Sequence, residues 1–319
     1  MNIFVAGASG AIGRPLILEL VRQGHKVTGT SRSEAGRRNL LEMGATPVTV
    51  DVFDESALID ALRKSQAEVV IDELTSLPRD PAEIASALPG DRKLRIEGGG
   101  NLHRAAQASG VRRYIQQLSG FFLKSDGKLA DESAPLATDA TPGVAASARS
   151  YAELEARLAN SGKMEAVGLR YGFFYGPGTW YSPEGASADH VRRRESPIIG
   201  RGQAIWSWIH IDDAAMATVA AVTVPPGIYN IVDDDPTPVS VWLPAFAQSV
   251  GAPPPPVISE QEARTSAGED AIYYGTKLSG ATNQKAKNAF AFRPRPLEWL
   301  SEDNFPNYSR HATLGTGRG

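Results

Sequence analysis

The sequence contains no cysteine, which excludes disulfide bonds and thiolate chemistry. Its five histidines show no spacing typical of a metal site, so we expect no bound metal. The formal net charge of −3 offers no basic surface for nucleic acid. Apolar stretches stay well below the length of a membrane span, and the chain enters a predicted strand at once, without a secretion signal. These absences predict a cytoplasmic protein with neither nucleic-acid nor membrane partners.

A glycine-rich turn follows the first apolar run, Ile3–Ala6, which is long enough for one buried strand. Three glycines come next at three-residue spacing, and Pro15–Val21 then has the pattern of a helix. A strand that turns on glycines into a helix is typical of dinucleotide sites, because the backbone can approach a pyrophosphate and the helix N-terminus faces it. The residues predicted to bind the cofactor here are Gly7, Ser9, Gly10, Ala11, Ile12 and Gly13.

Basic residues follow the predicted second strand, His25–Thr30. Ser31 and Arg32 come directly after it, and Arg37 lies a little further on. A dinucleotide fold that prefers NAD places an acidic residue near this point, on the adenosine ribose. Arginines would instead attract a 2′-phosphate, so the sequence favours NADP(H) over NAD(H). The alternative is that both arginines are solvated surface charges.

An acidic residue, Asp51, ends the predicted third strand, Thr46–Val50. It could accept a hydrogen bond from the adenine amino group, or Asp51 and Asp54 could cap the following helix. The loop after the fourth strand, Glu73–Pro78, is expected along the ribose and nicotinamide side. The remaining predicted cofactor contacts lie just after the third, fourth and sixth strands: Val52, Leu74, Thr75, Gly172 and Phe173.

Six predicted strands alternate with helices, which indicates an α/β Rossmann fold with a doubly wound parallel sheet. We expect residues 1–170, with 203–235 returning to them, to form the NAD(P)-binding domain. Residues 171–202 and 236–319 would form a small C-terminal α/β substrate-binding lobe. A loop is expected at Pro89–Arg92. The predicted helix Leu94–Ser109 contains three consecutive glycines, which indicate either close backbone packing or an interrupted helix.

Several ordered motifs resemble the extended short-chain dehydrogenase/reductase superfamily, also called the NAD-dependent epimerase/dehydratase family. They include GASGAIG at 7–13, Asn101 in the fourth helix, and Ser119 after the fifth strand. LRYGFFYGPG at 169–178 and WIHIDDAA at 208–215 follow in the same order. The resemblance implies an NAD(P)-dependent oxidoreductase whose active site lies between the Rossmann domain and the lobe.

The resemblance also implies a Tyr-x-x-x-Lys pair on the helix before the sixth strand, and this chain lacks it. Tyr151 is followed four residues later by Glu155. In the alternative alignment, Arg149 and Glu153 take the two positions, and again no lysine is supplied. A carboxylate beside a tyrosine would raise the pKa of its phenol, which opposes the usual chemistry. The proton donor is therefore expected to be non-standard.

The candidate catalytic residues that remain are Ser119, Tyr151 and Tyr171. Ser119 or Tyr171 would position the substrate oxygen, with water or a substrate group as the proton source. Each also has a structural alternative, as a strand-end serine or a core aromatic. A Ser-His-Asp hydrolase is not expected, because no G-x-S-x-G motif is present.

Three functions are consistent with these residues. The first is an NADP(H)-dependent oxidoreductase that transfers a hydride to or from a small, partly apolar carbonyl, hydroxyl or conjugated substrate. The others are a nucleotide-sugar epimerase or dehydratase, and a non-catalytic NADP(H) sensor. The resemblance also implies a homodimer formed through the helices at 94–109 and 146–160.

Overall fold

The computed structural model describes residues 1–300. Apolar runs that are buried on both faces form the central strands, as in β1, where Ile3 to Ala6 are all buried. In chain order the strands are β1 (Asn2–Ala6), β2 (Lys26–Thr30), β3 (Thr46–Val48), β4 (Val69–Asp72), β5 (Arg113–Ser119), β6 (Glu165–Tyr171), β7 (Phe173–Tyr175), β8 (Ile198–Ile199), β9 (Ile205–Trp206), β10 (Trp208–His210), β11 (Gly227–Ile231), β12 (Thr237–Pro238) and β13 (Val257–Ile258).

Helices lie between these strands, and several begin at a polar side chain that caps free backbone N–H groups. Ser33 and Asp54 cap the second and third helices in this way. In chain order the helices are α1 (Gly13–Arg22), α2 (Glu34–Glu42), α3 (Glu55–Ser65), α4 (Ile84–Lys93), α5 (Gly99–Ala108), α6 (Pro142–Ala159), α7 (Ala186–Arg192), α8 (Ile211–Ala220), α9 (Val239–Ser249), α10 (Glu260–Ser266), α11 (Gly268–Thr276) and α12 (Gln284–Phe290).

The main sheet has seven parallel strands in the order β11-β6-β5-β4-β1-β2-β3. This order reverses between β1 and β4, and the carboxyl ends of the strands around such a switch point form the usual ligand crevice. The predicted fold class is confirmed. The seventh strand is β11, which lies in the segment 203–235 that is expected from the sequence to return to this domain.

Two apolar layers cover the sheet. On one face, Leu16 of α1 and Ala214 of α8 pack with Val5 and Leu169. The other face is covered by α3, α5 and α6 through Leu58, Leu102, Leu154 and other buried side chains. This double covering places the strand ends, rather than either face, in reach of a ligand.

The remaining strands make three short pairs outside the main sheet. β7 pairs with β10, β9 with β12, and β8 with β13. A separate aromatic core, which includes Trp208, Trp242 and Phe246, holds this region together. The predicted division into a Rossmann domain and a lobe stays a prediction, and its part beyond residue 300 lies outside the described residues.

The helical region before β5 differs from the prediction. The expected loop Pro89–Arg92 lies inside α4, which continues through one wider, π-helical turn, Leu94–Gly98, into α5. The first of the three glycines, Gly98, therefore ends a bulge in one continuous helix, and the other two begin α5. Such bulges are rare in helices overall, and those that occur are often found at functional sites. In the part of the chain that the structure describes, no helix is both long and apolar enough to cross a membrane.

Candidate functional site

The glycine turn lies between the carboxyl end of β1 and α1. Gly7 has a φ of 83°, and a Cβ at this position would overlap the carbonyl oxygen of Glu73. At Gly13 a Cβ would overlap the carbonyl oxygen of Ala8. Any side chain at either position would push strand, turn and helix apart. Both glycines are therefore required for this close packing.

The N-terminus of α1 fits a pyrophosphate. Ile12 precedes the helix, and no side chain caps its first N–H groups. Ser9 and Ala11 at the tip of the turn are exposed, and Gly10 is partly exposed. Free N–H groups at a helix N-terminus, together with the helix dipole, form an anion site. The predicted turn residues are thus arranged as a dinucleotide cofactor needs them.

The residues after β2 are basic. The guanidinium of Arg32 is exposed, and no hydrogen bond or ion pair holds it within residues 1–300. Arg37 donates to Thr49 Oγ1 at 3.1 Å and lies 3.7 Å from the carboxylate of Glu34. Ser31 is buried, and its hydroxyl donates to the carbonyl of Ser33. Of the two arginines, only Arg32 is therefore free to bind an additional anion.

The structure distinguishes the two roles that the sequence leaves open after β3, a hydrogen bond to adenine and a helix cap. Asp54, not Asp51, is the residue that caps α3. The exposed Asp51 accepts a hydrogen bond from the N–H of Phe53 at 2.9 Å. The carbonyl of Val52 accepts from Asn101 Nδ2 at 3.1 Å, which ties this loop to α5. Asp51 thus keeps an exposed carboxylate oxygen.

A buried ion pair lies on the opposite side of the switch point. Arg95 Nε donates to Asp91 Oδ2 at 2.7 Å, and both side chains are more than nine-tenths buried. Asp91 Oδ1 also accepts from Thr75 Oγ1 at 3.0 Å and from the N–H of Ser76 at 2.6 Å. The pair therefore fixes the loop after β4, where Leu74 is buried and Thr75 is half-buried.

Arg95 also contacts Tyr151. Its guanidinium lies 5.5 Å from the centre of the Tyr151 ring, and Arg95 Nη1 donates to Gln117 Oε1 of β5 at 3.2 Å. Burial raises the pKa of the Tyr151 phenol, and the charge of Arg95 opposes that rise. The sequence predicts neither Asp91 nor Arg95 as a site residue. Their signals are the i,i+4 Asp–Arg spacing and the glycines after it.

The carboxylate expected to raise the pKa of Tyr151 points elsewhere. Glu155 accepts two hydrogen bonds from Arg170, at 2.7 and 2.8 Å. Arg149 and Glu153, the residues of the alternative alignment, are exposed, and Arg149 donates to the carbonyl of Thr138. Glu155 is therefore not the carboxylate that acts on Tyr151. Arg95 lies over the Tyr151 ring, and the carboxylate that raises the pKa of its phenol is that of Asp91.

Ser119 ends β5 as predicted. It is 2 % exposed, and its hydroxyl oxygen has no hydrogen-bond partner among the described residues. A buried hydroxyl without a partner carries a free-energy cost that a ligand oxygen could remove. Ser119 therefore brings a buried hydroxyl without an internal partner to the end of β5.

Tyr171 does not fit the predicted catalytic role. Its hydroxyl is buried and contacts Glu73 Oε1 at 3.0 Å and Thr218 Oγ1 at 2.6 Å. The ring belongs to the core between the sheet and α8. Both partners of the hydroxyl are internal, so the structure corrects this assignment to a core position.

Gly172 and Phe173 begin the path from β6 to the aromatic region. The N–H of Gly172 donates to the carbonyl of Ile231, and Gly172 is buried. Phe173 stacks on Phe121 at 4.2 Å and on Trp206 at 3.9 Å between ring centres. Phe173 is thus part of an aromatic cluster rather than an isolated cofactor contact. We call Phe121, Phe122, Phe173, Trp206 and Tyr274 the aromatic cluster.

Tyr151 lies between the ion pair and the aromatic cluster. Its ring centre is 5.6 Å from that of Phe122, and its phenol acts electrostatically on that of Tyr274. Tyr274 in turn lies beside Phe173 and Trp206, with ring centres at 6.5 and 6.1 Å. A polar phenol therefore borders an apolar, aromatic surface, as is usual for small-molecule sites.

Charged features elsewhere do not extend this site. Arg192 and Arg193 are paired with Asp189 and Glu195 at 3.0 and 2.9 Å. A cavity of about 890 Å³ opens beside Asp233–Asp235, but none of the predicted site residues lines it. Within residues 1–300, no cluster of three or more His, Asp or Glu side chains is arranged to hold a metal.

Comparison with known proteins agrees with this geometry. Residues 3–231 match the NAD dependent epimerase/dehydratase family. The chain belongs to this family. It is an NAD(P)-dependent oxidoreductase of the short-chain dehydrogenase/reductase type.

Two relatives are named as reductases. The chain is 37% identical over 302 residues to a 3-diazoavenalumate denitrifying reductase from a Streptomyces species, covering 94% of this chain and 98% of the relative. It is 24% identical over 257 residues to a 4-hydroxy-2-methyl-3-oxo-4-farnesyl-3,4-dihydroquinoline-1-oxide ketoreductase from Stigmatella aurantiaca, covering 79% and 74%. Among solved structures, the UDP-glucose 4-epimerase of Thermus thermophilus in complex with NAD superposes with a TM-score of 0.72. It is 22% identical and covers 97% of this chain and all of the other, which shows the shared fold.

Proposed function

We propose that the protein is an NADPH-dependent reductase of a small, conjugated and partly apolar substrate. The observation that carries this proposal is the position of Tyr151, between the Asp91–Arg95 pair and the aromatic cluster. The unpartnered hydroxyl of Ser119 at the end of β5 supports it. Bound NADPH would supply the hydride for the reduction.

The preference for NADPH rests on the end of β2. Arg32 is exposed and unpaired within the described residues, and no acidic residue occupies positions 31–33. A guanidinium binds a 2′-phosphate through charge-assisted hydrogen bonds, each stabilising by about 1.5–3 kcal/mol. NADPH should therefore bind about tenfold or more tightly than NADH.

The substrate class rests on the aromatic cluster. Phe173 and Trp206 stack with rings nearly parallel, 17° apart, and Phe121 continues the stack on the other side of Phe173. A flat conjugated substrate would extend such a stack. The Streptomyces relative is named as a reductase of a diazo compound and the Stigmatella relative as a ketoreductase. Aryl ketones, quinones and aryl diazo compounds are thus the classes to try first.

The proposed chemistry divides between two side chains. Ser119 Oγ donates a hydrogen bond to the substrate oxygen or nitrogen and holds it in place. Tyr151 donates its phenolic proton to that atom as negative charge develops there. Arg95 stabilises the phenolate that remains, and water then returns the proton. A positioned donor of this kind accelerates proton transfer by about 10²–10⁴.

A cofactor-oxidation assay tests the proposal. Purified protein is mixed with NADPH or NADH and with members of these three classes, and loss of the reduced nicotinamide is followed. We expect oxidation with at least one class, with kcat/KM for NADPH about tenfold or more above that for NADH. NADPH that binds but is oxidised with no member would contradict a reductase. In that case, clearly different affinities for NADPH and NADP would support the sensor hypothesis.

A further inference from the structure

The fold lacks the lysine that the family resemblance implies, yet a buried cation lies beside the tyrosine. We propose that Arg95 is the positioning residue that takes over this electrostatic role, by lying over the Tyr151 ring and stabilising the ionised form of its phenol. This inference rests on the proposed function, because it concerns the proton donor of the same reaction. Arg95 comes from the helix before β5, whereas the expected lysine would lie on α6 itself.

Arg95 is held in place from three sides. Asp91, one helical turn earlier, accepts from Nε at 2.7 Å, and Gln117 of β5 accepts from Nη1 at 3.2 Å. The π-helical turn that carries Arg95 is itself fixed by α6, because Arg157 donates to the carbonyls of Arg95 and Ile96 at 3.2 and 2.8 Å. The guanidinium therefore stays in place without a substrate or cofactor, which is the preorganisation that electrostatic stabilisation needs.

The charged and titratable groups around the phenol act in known directions. Burial and the carboxylate of Asp91 raise the pKa of Tyr151, and Arg95 lowers it. Tyr274 of α11 packs against the same small apolar group as Tyr151, and the charge of Tyr151 raises the pKa of the Tyr274 phenol. Glu155, on the same helix, is paired with Arg170 instead. Arg95 is thus the only cation acting on the phenol that the described residues show.

The consequence for proton transfer is specific. When Tyr151 gives its proton to the substrate, the O–H bond breaks and both electrons stay on the phenolate oxygen. That negative charge forms in a buried place, where it is costly unless a cation is near. Arg95 reduces the cost and keeps its own proton throughout, because a guanidinium does not deprotonate in proteins.

Fluorine NMR tests this electrostatic role without any turnover. Difluorotyrosine, whose phenol titrates near neutral pH, is placed at position 151 alone, and its fluorine shift is followed against pH. Replacing Arg95→Met should raise the phenol pKa by about one pH unit or more, because an opposite charge within a few ångströms is removed. Arg92→Met is the matched control. Arg92 lies on the same helix, donates to Ser150 Oγ, and is not among the groups that shift Tyr151.

Further variants separate charge from folding. Arg95→Met leaves the buried Asp91 without its partner, so Asp91→Asn/Arg95→Met removes both charges. The rise in phenol pKa should be smaller but still present in this double variant, because the lost Asp91 carboxylate itself raises that pKa and acts less strongly than Arg95. Arg95→Lys should restore most of the wild-type value. A phenol pKa that Arg95→Met and the double variant leave within about 0.3 of the wild-type value would overturn the proposal.

Kinetics then distinguishes this inference from the proposed function. If Arg95 acts through Tyr151, then Arg95→Met and Tyr151→Phe should each lower kcat, and the double variant should be no slower than the slower single variant. Additive losses would contradict the inference while leaving the reductase intact. A wild-type protein that oxidises no NADPH, with the phenol shift present, would contradict the proposed function alone.

Discussion

The two ends of the crevice are built by different means. At the cofactor-phosphate end, the geometry is set by backbone: Gly7 and Gly13 lie where a Cβ would overlap a neighbouring carbonyl, and the N-terminus of α1 is uncapped. At the proposed reacting end, it is set by side chains from several separate segments, namely Asp91 and Arg95, Gln117, Tyr151, and the aromatic cluster.

The difference explains where function can change within this fold. A backbone cradle depends on a few glycines in one short segment, and almost any substitution there damages it. A side-chain network can exchange one cation for another, provided that the new cation comes from a neighbouring element. The pairing of Tyr151 with Arg95 is consistent with such an exchange, since the family-like cofactor turn is kept while the Tyr-x-x-x-Lys pair is absent.

The largest effect should come from the reacting end. Tyr151→Phe removes only the phenolic oxygen, so kcat should fall by about 10²–10⁴ while the Kd for NADPH stays within about twofold. Steady-state kinetics and a cofactor titration measure both values. Tyr229→Phe is the control, because it removes a hydroxyl whose hydrogen-bond partner within residues 1–300 is the carbonyl of Pro225. An equal loss in both variants would remove Tyr151 from the mechanism.

A second prediction concerns Glu73, which follows β4 and lies between the glycine turn and the Asp91–Arg95 pair. Its carbonyl lies beside Gly7, its Oε1 accepts from Tyr171, and its Oε2 has no partner among the described residues. Burial raises the pKa of this carboxyl from 4.5 to about 8. The folded state therefore binds a proton more tightly than the unfolded chain, and the free energy of unfolding falls as pH rises between these two values.

Glu73→Gln keeps the shape of the side chain and removes this titration. At pH 8–9 the variant should be more stable than wild type by on the order of 3 kcal/mol, with little difference near pH 4.5. Denaturant unfolding at several pH values measures the difference. Glu68→Gln, at an exposed position, should change stability little at any of them. A constant difference between Glu73→Gln and wild type across this range would show that Glu73 does not titrate there.

Substitution at the cofactor end should change NADPH affinity and leave kcat nearly unchanged, which is the reverse of the effect expected for Tyr151→Phe. Arg32→Ala should weaken NADPH binding by about 10–100-fold, leave NADH binding unchanged, and leave kcat at saturating NADPH within about twofold. Arg38→Ala, another exposed arginine nearby on α2, provides the control. If both variants weaken NADPH binding equally, the preference for NADPH over NADH has another origin, such as general attraction of the phosphate to a basic surface.

The smallest expected effect is on KM, and it should distinguish Phe173 from its neighbour Phe174 on β7. Phe173→Leu disturbs the stack with Phe121 and Trp206, so KM for an aromatic substrate should rise about tenfold with NADPH affinity unchanged. Phe174→Leu affects a ring that packs against Tyr171 in the sheet core, 5.2 Å away, and should lower stability without changing KM. A weaker NADPH affinity in Phe173→Leu would return Phe173 to the cofactor site.

The parts of the fold and site that depend on local sequence are the predictable ones. Strands such as Ile3–Ala6 are continuous apolar runs, and the glycine turn lies within seven residues of chain. The predicted catalytic role of Tyr171 is wrong, because the sequence does not tell to which face of the sheet a tyrosine at a strand end points. In the structure the Tyr171 hydroxyl bonds that of Thr218, 47 residues away, inside the core.

The Arg95 cluster shows why the reacting end is harder to predict. The glycines at 98–100 indicate an unusual helix, but not the π-helical turn, which depends on Arg157 from α6. Asp91 lies in a stretch predicted as a loop, so its i,i+4 relation to Arg95 is invisible until the helix is known. Contacts between distant segments decide this end, and one sequence does not record them.

A single-turnover experiment tests the central claim most directly. NADPH that carries deuterium at the transferred position of C4 is mixed with excess protein and an aryl ketone that it reduces, so that the label stays on the carbinol carbon, and the product is followed by mass spectrometry. We expect one deuterium in the product, and the same labelled product formed about 10²–10⁴ times more slowly by Tyr151→Phe at saturating NADPH. Equal rates for the two proteins, or a product without deuterium, would contradict the account.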